Sequence, residues 1–390
     1  MERVRQSPTD PAFVQDPYTF YDRLRPLGPL AWWEDYAMPV AASRAAVDAL
    51  LRDRRLGRED PFPPARPAHQ AGFWAVEDHS MLELEPPRHT RLRGQVLRAF
   101  TSRRIAAMAP EIAALAAELV AAFPTGPFEL LDAFARPLPV RVIARLLGVP
   151  EADAPDLLRW SNAMVGMYQA GRTRAHEVAA AGAARDFTAY LGDVFAARTR
   201  RPGDDLVSQL LAVEAEGTLS RAEVNATCIL LLNAGHEATV HTLGNGVRAL
   251  VEAGLWGAEP TPALVEEVLR FDAPLHLFTR YAQEDVELFG HPLRRGQQVG
   301  LLLGAANRDP TAYAEPDRFD PARFPDAPPP VGFGAGLHFC LGAPLARLEL
   351  LEGLRALMTV PLRLVEPPRY ADIYHFHGLE RLVVETAKSS

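Results

Sequence analysis

The scarcest residues in this sequence already limit what the protein can be. Only two cysteines, Cys228 and Cys340, occur among 390 residues, which is too few for a disulfide framework or a cysteine-based zinc cluster. Lysine is nearly absent, because Lys388 is the only one and all other basic residues are arginine. The net charge of −8 gives no reason to expect a nucleic acid as partner.

Long apolar stretches are missing as well. Residues 1–13 are charged and interrupted by proline, unlike a signal peptide. No uninterrupted apolar stretch reaches the ~20 residues that span a bilayer. We therefore expect a soluble, cytoplasmic protein without membrane contact. With 48% hydrophobic and 23% charged residues, the composition is that of a globular chain that can bury a sizeable core.

The apolar periodicity predicts a mainly α fold with a smaller β portion. Residues 106–211 show helical spacing almost throughout. Short strands are predicted near residues 30–33, 38–41, 286–289 and 298–303. Residues 60–79 contain four prolines and are predicted to form a long loop, a type of segment that often has a function.

Cys340 lies in a glycine-rich stretch, Val331–Leu341. Glycine permits left-handed conformations and close approach, so a flat group can lie against this backbone. Pro344 and the leucines behind it predict that a helix begins just after Cys340, where free amide donors favour a thiolate. A thiolate is the form that ligates a metal. The alternative is that Cys340 is a small buried apolar residue, as most free cysteines are.

A second pattern predicts one very long helix. Ser220 and Glu223 form a capping box, and no proline follows before Gly254. A helix of ~33 residues would be ~50 Å long. Its middle places Asn233, Glu237 and His241 on one stripe, which in a buried helix must face something polar. A structural hydrogen-bond network is the alternative.

Two charged pairs are weak signals by themselves. His89 and Arg93 share a helix face, but most basic faces of this kind are simply solvated. Glu267 and Arg270 are spaced i,i+3, and most such pairs are exposed and contribute ~0.5 kcal/mol or less.

The spacing Phe333-x-x-Gly336-x-x-x-Cys340-x-Gly342, with His338 two residues before the cysteine, resembles the haem-ligand signature of the cytochrome P-450 superfamily. Four further family elements occur in the family's order between Pro86 and the C-terminus. They are the H-T-R-L-R element at 89–93, the A-G-x-E element at 234–237, the E-x-x-R pair at 267–270 and the F-x-P-x-R-F segment at 319–324. The chain departs from the family where a threonine is usual, because Ala238 occupies that position and Thr239 follows one residue late.

The resemblance implies a single haem-thiolate domain over residues 1–390 with the cytochrome P-450 fold and haem b as cofactor. Cys340 would be the metal ligand, and the haem propionates would contact His89, Arg93, Arg280 and His338. The implied haem-binding residues are His89, Arg93, Ala234, Arg280, Phe333, Gly334, His338, Cys340 and Gly342. The implied catalytic residues are Glu237, Thr239 and Cys340, and the structural set is Glu267, Arg270 and Arg323.

The resemblance also places a substrate pocket for a small or medium hydrophobic organic molecule. Its predicted lining residues are Phe73, Trp74, Met167, Asn233, Ala238, Leu275, Leu277, Phe278 and Phe376. Each of them could equally be an ordinary core residue.

The implied activity is insertion of one oxygen atom from dioxygen. Because the chain shows no flavin or iron–sulfur domain, we expect electrons from a ferredoxin, or a flavodoxin, and its reductase. A basic surface formed by Arg91, Arg98, Arg103 and Arg104 could receive this acidic partner. One alternative is a peroxide-using haem-thiolate enzyme, although residues 228–246 lack the arginine that this branch prefers. The other is a non-catalytic module of the same fold that docks a carrier protein, which retention of Cys340 and Glu237 disfavours.

Overall fold

The structure is a computed structural model that describes residues 1–169, 171–374 and 376–386. Its α-helices are α1 Pro11–Gln15, α2 Tyr18–Leu24, α3 Arg44–Arg52, α4 Ala71–Glu77, α5 Arg88–Ala99, α6 Ser102–Ala107, α7 Ala109–Ala121, α8 Pro137–Leu147, α9 Ala154–Val165, α10 Arg174–Arg200, α11 Leu206–Ala215, α12 Arg221–Glu252, α13 Pro262–Phe271, α14 Leu303–Asn307 and α15 Ala343–Leu357. The strands are β1 Arg3–Val4, β2 Ala31–Trp33, β3 Met38–Ala41, β4 Leu56–Gly57, β5 Phe128–Glu129, β6 Leu277–Ala282, β7 Val286–Leu288, β8 His291–Leu293, β9 Gln298–Leu302, β10 Leu362–Leu364, β11 Arg369–Tyr370, β12 Leu379–Arg381 and β13 Val383–Thr386. The prediction of a mainly α fold with a smaller β portion is confirmed.

The chain folds into two compact units. Unit 1 comprises Met1–Phe62, Ala109–Ala135 and Ala238–Ser390, and unit 2 comprises Pro63–Met108 and Arg136–Glu237. Every strand given above belongs to unit 1, whereas unit 2 is helical wherever it has regular structure. Helix α12 contributes its first half to unit 2 and its second half to unit 1.

The main sheet of unit 1 has the strand order β1-β2-β3-β9-β6-β4. Strand β9 runs parallel to β3, with Val40 opposite Gly300, and antiparallel to β6, with Leu277 opposite Leu302. Strand β6, Leu277–Ala282, is not among the strands predicted from the sequence. Because its neighbours β9 and β4 lie elsewhere in the chain, local pattern does not reveal it.

Helix ends follow the capping chemistry of the sequence. Ser220 and Glu223 cap each other at the start of α12: the Glu223 amide donates to Ser220 Oγ at 3.3 Å and the Ser220 amide donates to Glu223 Oε2 at 2.9 Å. Thr261 accepts a hydrogen bond from the Leu264 amide and thereby caps α13, with Pro262 at its first position. The predicted long helix is therefore confirmed within a residue or two, and the capping residues of α13 follow the same rules.

The predicted loop at residues 60–79 is partly wrong. A 3-10 turn, Ala68–Gln70, leads directly into α4 in this region. Helix α4 packs against α10 of unit 2 so closely that a Cβ on Gly72 would lie 2.5 Å from the Ala181 carbonyl oxygen. The proline cluster correctly predicted a loop at residues 61–67. The apolar residues after it form a helix that packs against another helix, and local sequence does not show that partner.

Candidate functional site

The loop that carries Cys340 has a defined backbone. A 3-10 turn, Gly336–His338, precedes the cysteine and α15 begins three residues after it. The Cys340 amide donates to the Phe333 carbonyl at 2.9 Å and the Gly334 amide donates to the Val331 carbonyl at 2.8 Å. The thiol is therefore held at a fixed place just ahead of a helix N-terminus, where the backbone amides favour negative charge.

The two cysteines differ sharply in their surroundings. Cys340 is partly exposed, whereas Cys228 is completely buried on α12. Burial raises the pKa of the Cys228 thiol to about 12, so this residue stays a neutral thiol. Cys340 is thus the cysteine that can reach a ligand.

Glycine is required at two positions of this loop. Gly334 and Gly336 both have φ of +69°, a conformation that strains residues with a Cβ. A Cβ on Gly336 would also lie 2.6 Å from the Leu51 carbonyl oxygen. The motif glycines therefore shape the loop and let it lie against the end of α3.

An ion pair and a cation–π contact connect the cysteine loop to two helices. Arg347 of α15 lies over the Phe333 ring, with its guanidinium carbon 4.7 Å from the ring centroid. The same guanidinium donates to Glu266 of α13 at 3.1 Å. A cation at this distance from an aromatic face is attracted to it, so α13, α15 and the cysteine loop are connected.

The E-x-x-R pair and the later arginine meet in the interior of unit 1. Arg270 donates to both carboxylate oxygens of Glu267, at 2.7 and 2.8 Å, and both side chains are fully buried. Arg323 donates to Glu267 Oε1 at 3.2 Å. Arg270 also donates to the carbonyls of Asn307, Pro316 and Arg318. These contacts fit the predicted structural role of the three residues.

The predicted propionate contacts divide between the units. Unit 1 holds Arg280, which is 2% exposed on β6, and His338, which is partly exposed in the 3-10 turn. Unit 2 holds His89, which is 1% exposed, and Arg93, which is partly buried one turn further along α5. Buried guanidinium and imidazole groups are suitable donors to carboxylates, so the chemistry of each pair fits a propionate.

The middle of α12 presents small side chains. Ala234 is exposed although the surrounding helix is largely buried, and Gly235 follows it. A Cβ on Gly235 would lie 2.7 Å from the Ile143 Cδ1 atom of α8. Within unit 1, the partly exposed thiol of Cys340 and the donors Arg280 and His338 are of the chemistry that fits a metal cofactor carrying carboxylates.

Sequence reasoning did not identify Glu349. This residue of α15 is 1% exposed, and burial raises the pKa of its carboxyl well above the usual range. The Thr239 hydroxyl forms a hydrogen bond with this carboxyl, while its Oε1 has no partner among the described residues. The available signal was the four-residue spacing from Leu345, which places an acid on the apolar face of the predicted helix.

Thr239 is therefore engaged by Glu349 within unit 1. Ala238, at the position where the family has threonine, has its carbonyl bound by the Thr242 hydroxyl at 2.7 Å. Helix α12 is assigned as one continuous α-helix through this region, so Thr239 points ~100° away from the side chain at 238. The shifted threonine does not replace the missing hydroxyl directly.

The predicted pocket residues of unit 1 form one close pair. Leu275 and Phe376 form an antiparallel β-bridge, and the His377 amide donates to the Pro274 carbonyl at 2.7 Å. Leu277 is enclosed by a core cluster that includes Trp33, whereas Phe278 packs against a different cluster. Successive strand residues point to opposite faces, so Leu277 and Phe278 lie in different clusters, and their place in a substrate pocket stays a prediction.

The predicted pocket residues of unit 2 lie on several helical elements. Phe73 and Trp74 belong to α4, and Phe73 lies edge-on to Tyr168, with 6.3 Å between the ring centroids. Met167 is 5% exposed in the 3-10 turn Gly166–Tyr168. The Asn233 amide is 3.9 Å from the Met164 sulfur. These contacts leave the pocket assignment a prediction.

Among the residues that the structure describes, no helix is both long enough and apolar enough to cross a bilayer.

Comparison with known proteins gives a consistent result. The model of the family described as cytochrome P-450 matches residues 260–359. The chain is 34% identical to the biotin biosynthesis cytochrome P-450 of Bacillus subtilis, covering 98% of this chain and 99% of the relative. It is 40% identical to the 6-deoxyerythronolide B hydroxylase of Saccharopolyspora erythraea, covering 89% of each.

A solved structure extends the likeness to three dimensions. It is that of a cytochrome P-450 in complex with an acyl carrier protein ligated to hexadec-9Z-enoic acid. The fold matches with a TM-score of 0.89 and 34% sequence identity over 96% of this chain and 100% of that chain. Similarity of this extent, in sequence and in fold, shows that the chain belongs to the cytochrome P-450 family of haem-containing oxidoreductases.

Proposed function

We propose that the protein is a haem-thiolate monooxygenase that inserts one oxygen atom from dioxygen into a small or medium hydrophobic organic substrate. The observation that carries this proposal is Cys340, a partly exposed thiol on a fixed loop ahead of α15 in a chain of this family. Its retention, together with that of Glu237, favours an active enzyme over a module that only docks a partner. We treat residues 1–390 as one functional domain.

The cofactor proposed is haem b, with Cys340 as its axial ligand. Arg280 and His338 of unit 1 would bind propionate oxygens, and His89 and Arg93 of unit 2 remain the further contacts implied by the resemblance. When bound, a thiolate-ligated haem supplies the activation of dioxygen. The protein's own contribution is to hold the thiolate in place, to pair the propionates and to deliver protons.

Protons are proposed to be managed by residues of α12 and α15. Burial raises the pKa of the Glu349 carboxyl well above its usual range and so favours the protonated acid. The Thr239 hydroxyl donates to this acid and is thereby oriented. Glu237, whose side chain is 26% exposed, is placed to exchange protons with water. Water ordered by Thr239 and Glu349 within unit 1 would substitute for the hydroxyl that Ala238 lacks.

Electrons are proposed to come from a ferredoxin, or a flavodoxin, and its reductase. In unit 2, Arg98 and Arg103 are exposed. Arg91 pairs with Glu223 and Arg104 donates to the Asp204 carbonyl at 2.9 Å, so Arg98 and Arg103 are the stronger candidates for contact with an acidic partner. Charge reversal of both should slow reductase-supported turnover and leave peroxide-supported turnover unchanged.

The proposed activity is tested by isotope incorporation. A hydrophobic compound is first selected by screening for a change in the iron spin state of the purified holoprotein. It is then turned over with ferredoxin, its reductase and NADPH under ¹⁸O₂. The proposal predicts one ¹⁸O atom per product molecule. Incorporation of oxygen from water, or turnover that is faster with peroxide than with the reductase, would contradict it.

A second form of substrate is favoured by one comparison. The relative solved with an acyl carrier protein is similar to this chain over nearly its full length. An acyl chain presented by a carrier is therefore a candidate substrate here. Hydroxylation of a carrier-bound hexadecenoyl chain, compared with free hexadecenoic acid at equal concentration, decides between the two forms.

A further inference from the structure

His236 is a buried histidine whose two ring nitrogens both face oxygen atoms. It lies on α12, is 1% exposed and belongs to unit 2 together with its neighbours. Its Nδ1 atom is 3.1 Å from the Leu232 carbonyl. Its Nε2 atom is 3.3 Å from Asn162 Oδ1 and 3.3 Å from Glu237 Oε2. No motif in the sequence assigns a role to this residue.

The contact at Nδ1 fixes one proton. A carbonyl oxygen can only accept a hydrogen bond, so Nδ1 of His236 must carry hydrogen and donate to Leu232. This bond turns the ring back along its own helix and sets the direction of Nε2. Side chains of adjacent helix residues normally point apart, so the approach of Nε2 to Glu237 depends on this orientation.

The contact at Nε2 requires a second proton. If Nε2 and the Glu237 carboxylate were both unprotonated, two lone pairs would face each other at 3.3 Å. The contact is attractive only if one proton lies on Nε2 or on the carboxyl oxygen. Asn162 fits either case, because its amide oxygen and nitrogen can exchange places by a flip of the side chain.

We propose that His236 and Glu237 share one proton, and that His236 is the positioning residue that holds the Glu237 carboxyl and reloads it. The inference rests on the proposed function, in which Glu237 exchanges protons with water. When the shared proton moves from Nε2 to the carboxylate, an N–H bond breaks and an O–H bond forms. The imidazolium becomes neutral imidazole and the carboxylate becomes a carboxylic acid.

The His236 and Glu237 pair regains its lost proton from solvent. After the acid gives its proton to water, the pair holds one proton less. A hydronium ion at the exposed side chain of Asn162 then gives its proton to Nε2 and becomes water. Asn162 does not carry the proton and serves only as a hydrogen-bonding anchor for the ring.

The first test reads the protons directly. The holoprotein is labelled with ¹⁵N-histidine and studied by NMR in the diamagnetic ferrous carbon monoxide state, with His236 identified by the signals lost in His236→Gln. The proposal predicts a protonated-nitrogen shift at Nδ1 and an Nε2 shift that moves when Glu237 is replaced by glutamine. An unprotonated Nδ1, or an Nε2 shift that Glu237→Gln leaves unchanged, would overturn the proposal.

The second test separates positioning from folding. His236→Phe should lower product formed per NADPH about 10-fold, within the range of proton-transfer effects, and raise hydrogen peroxide release. Peroxide-supported turnover, which bypasses proton delivery, should change less than about 2-fold, and His236→Gln should recover part of the loss because it keeps a donor.

Asn225→Leu is the matched control. Asn225 is also buried on α12, and it donates to Thr188 of α10 at 3.0 Å without contact to Glu237. The Asn225→Leu substitution should leave both the product formed per NADPH and the peroxide-supported turnover unchanged. Equal losses in Asn225→Leu and His236→Phe would show a merely structural role and overturn the inference. A wild-type protein without the spectrum of a thiolate-ligated haem would instead contradict the proposed function.

Discussion

At the scale of single residues, Glu349 shows how burial changes an ordinary carboxyl group. Its folded pKa is raised well above the usual range because burial penalises the charged form. A group with a raised folded pKa contributes stability below its unfolded pKa, near 4.5, and loses that contribution as pH rises toward the folded value. Stability should therefore decline on the alkaline side.

Glu349→Gln should remove this decline. As pH rises from 6 to 9, we expect the thermal midpoint of the wild type to fall relative to that of the variant, because glutamine has no proton to lose. Thermal unfolding of the holoprotein across this range measures it. Glu352→Gln, on the same helix but paired with Arg355, is the control. Parallel curves for wild type and Glu349→Gln would show that Glu349 is not held protonated.

Thr239 and Ala238 provide a second prediction at this scale. Thr239→Val removes the hydroxyl that donates to Glu349 and should lower product formed per NADPH by about 3- to 10-fold. Ala238→Thr should change this ratio by less than about 2-fold, because the proposed proton path runs through Thr239, Glu349 and water. Product and NADPH consumption are measured together. A large gain in Ala238→Thr would show that the native path is incomplete.

Residue identity was predictable where spacing is long and specific. Cys340 and the Glu267, Arg270 and Arg323 set follow from their motifs, and the structure places the last three in contact. Glu349 was missed because a charged residue on a helix is usually read as solvent-facing. Its contact with Thr239 joins helices about 110 residues apart, a distance that local pattern does not report.

At the scale of elements, the buried Glu267 and Arg270 pair connects α13 by hydrogen bonds to the segments that precede the cysteine loop. Arg270→Lys should destabilise the protein by about 3–5 kcal/mol, because a lysine cannot satisfy the carboxylate and three carbonyls that the guanidinium binds. We also expect reduced haem content. Chemical denaturation and the haem-to-protein ratio are the measurements.

An exposed pair with the same spacing is the control for this element. Glu352 and Arg355 are also i,i+3, but the Arg355 side chain is 49% exposed. Arg355→Lys should change the free energy of unfolding by less than about 1 kcal/mol. Similar costs for Arg270→Lys and Arg355→Lys would contradict the role assigned to the buried pair.

Elements with strong capping signals were predictable, and those made by distant partners were not. Helices α12 and α13 begin where Ser220 and Thr261 indicate. Strand β6 is stabilised by β9 and β4, the latter from residues 56–57. Strand β4 has only two residues, and it pairs with β6 across more than two hundred positions. Local sequence does not predict such a pair, because its stability comes from the sheet.

At the scale of the whole molecule, two buried histidines should limit stability in acid. Burial, together with the charges of Arg248 and Arg308, lowers the pKa of His377 to about 3, and burial also lowers the pKa of His276 well below its usual value. Below pH 6.5 the unfolded chain binds protons that the folded protein does not. Stability is therefore lost as pH falls from about 6.5 toward 3.

His377→Gln should reduce this loss. As pH falls from 6 to 4, the free energy of unfolding decreases in both proteins. The decrease per pH unit should be about 1.4 kcal/mol smaller in His377→Gln than in the wild type. Denaturation curves at several pH values give the slope, and His291→Gln on strand β8 is the control. An unchanged slope in His377→Gln would mean that this histidine gains its proton in the folded protein too.

The fold class of the whole molecule was predictable, whereas its division into two units was not. Helical periodicity over residues 106–211 signalled the mainly α fold. The boundary of the units falls inside α12, between Glu237 and Ala238, where no break in sequence pattern occurs. A continuous helix contributes to both units, so composition and linkers carry no sign of the division.

The measurement that tests the account most directly is the absorption spectrum of the reduced, carbon monoxide-bound protein. We predict a red-shifted Soret band in the wild type, because the proposed Cys340 ligand would donate to the haem iron as a thiolate. Cys340→His should bind haem without this band, and Cys228→Ser should retain it. A wild type without the band, or a Cys340→His variant that keeps it, would contradict the assignment of Cys340 as the ligand.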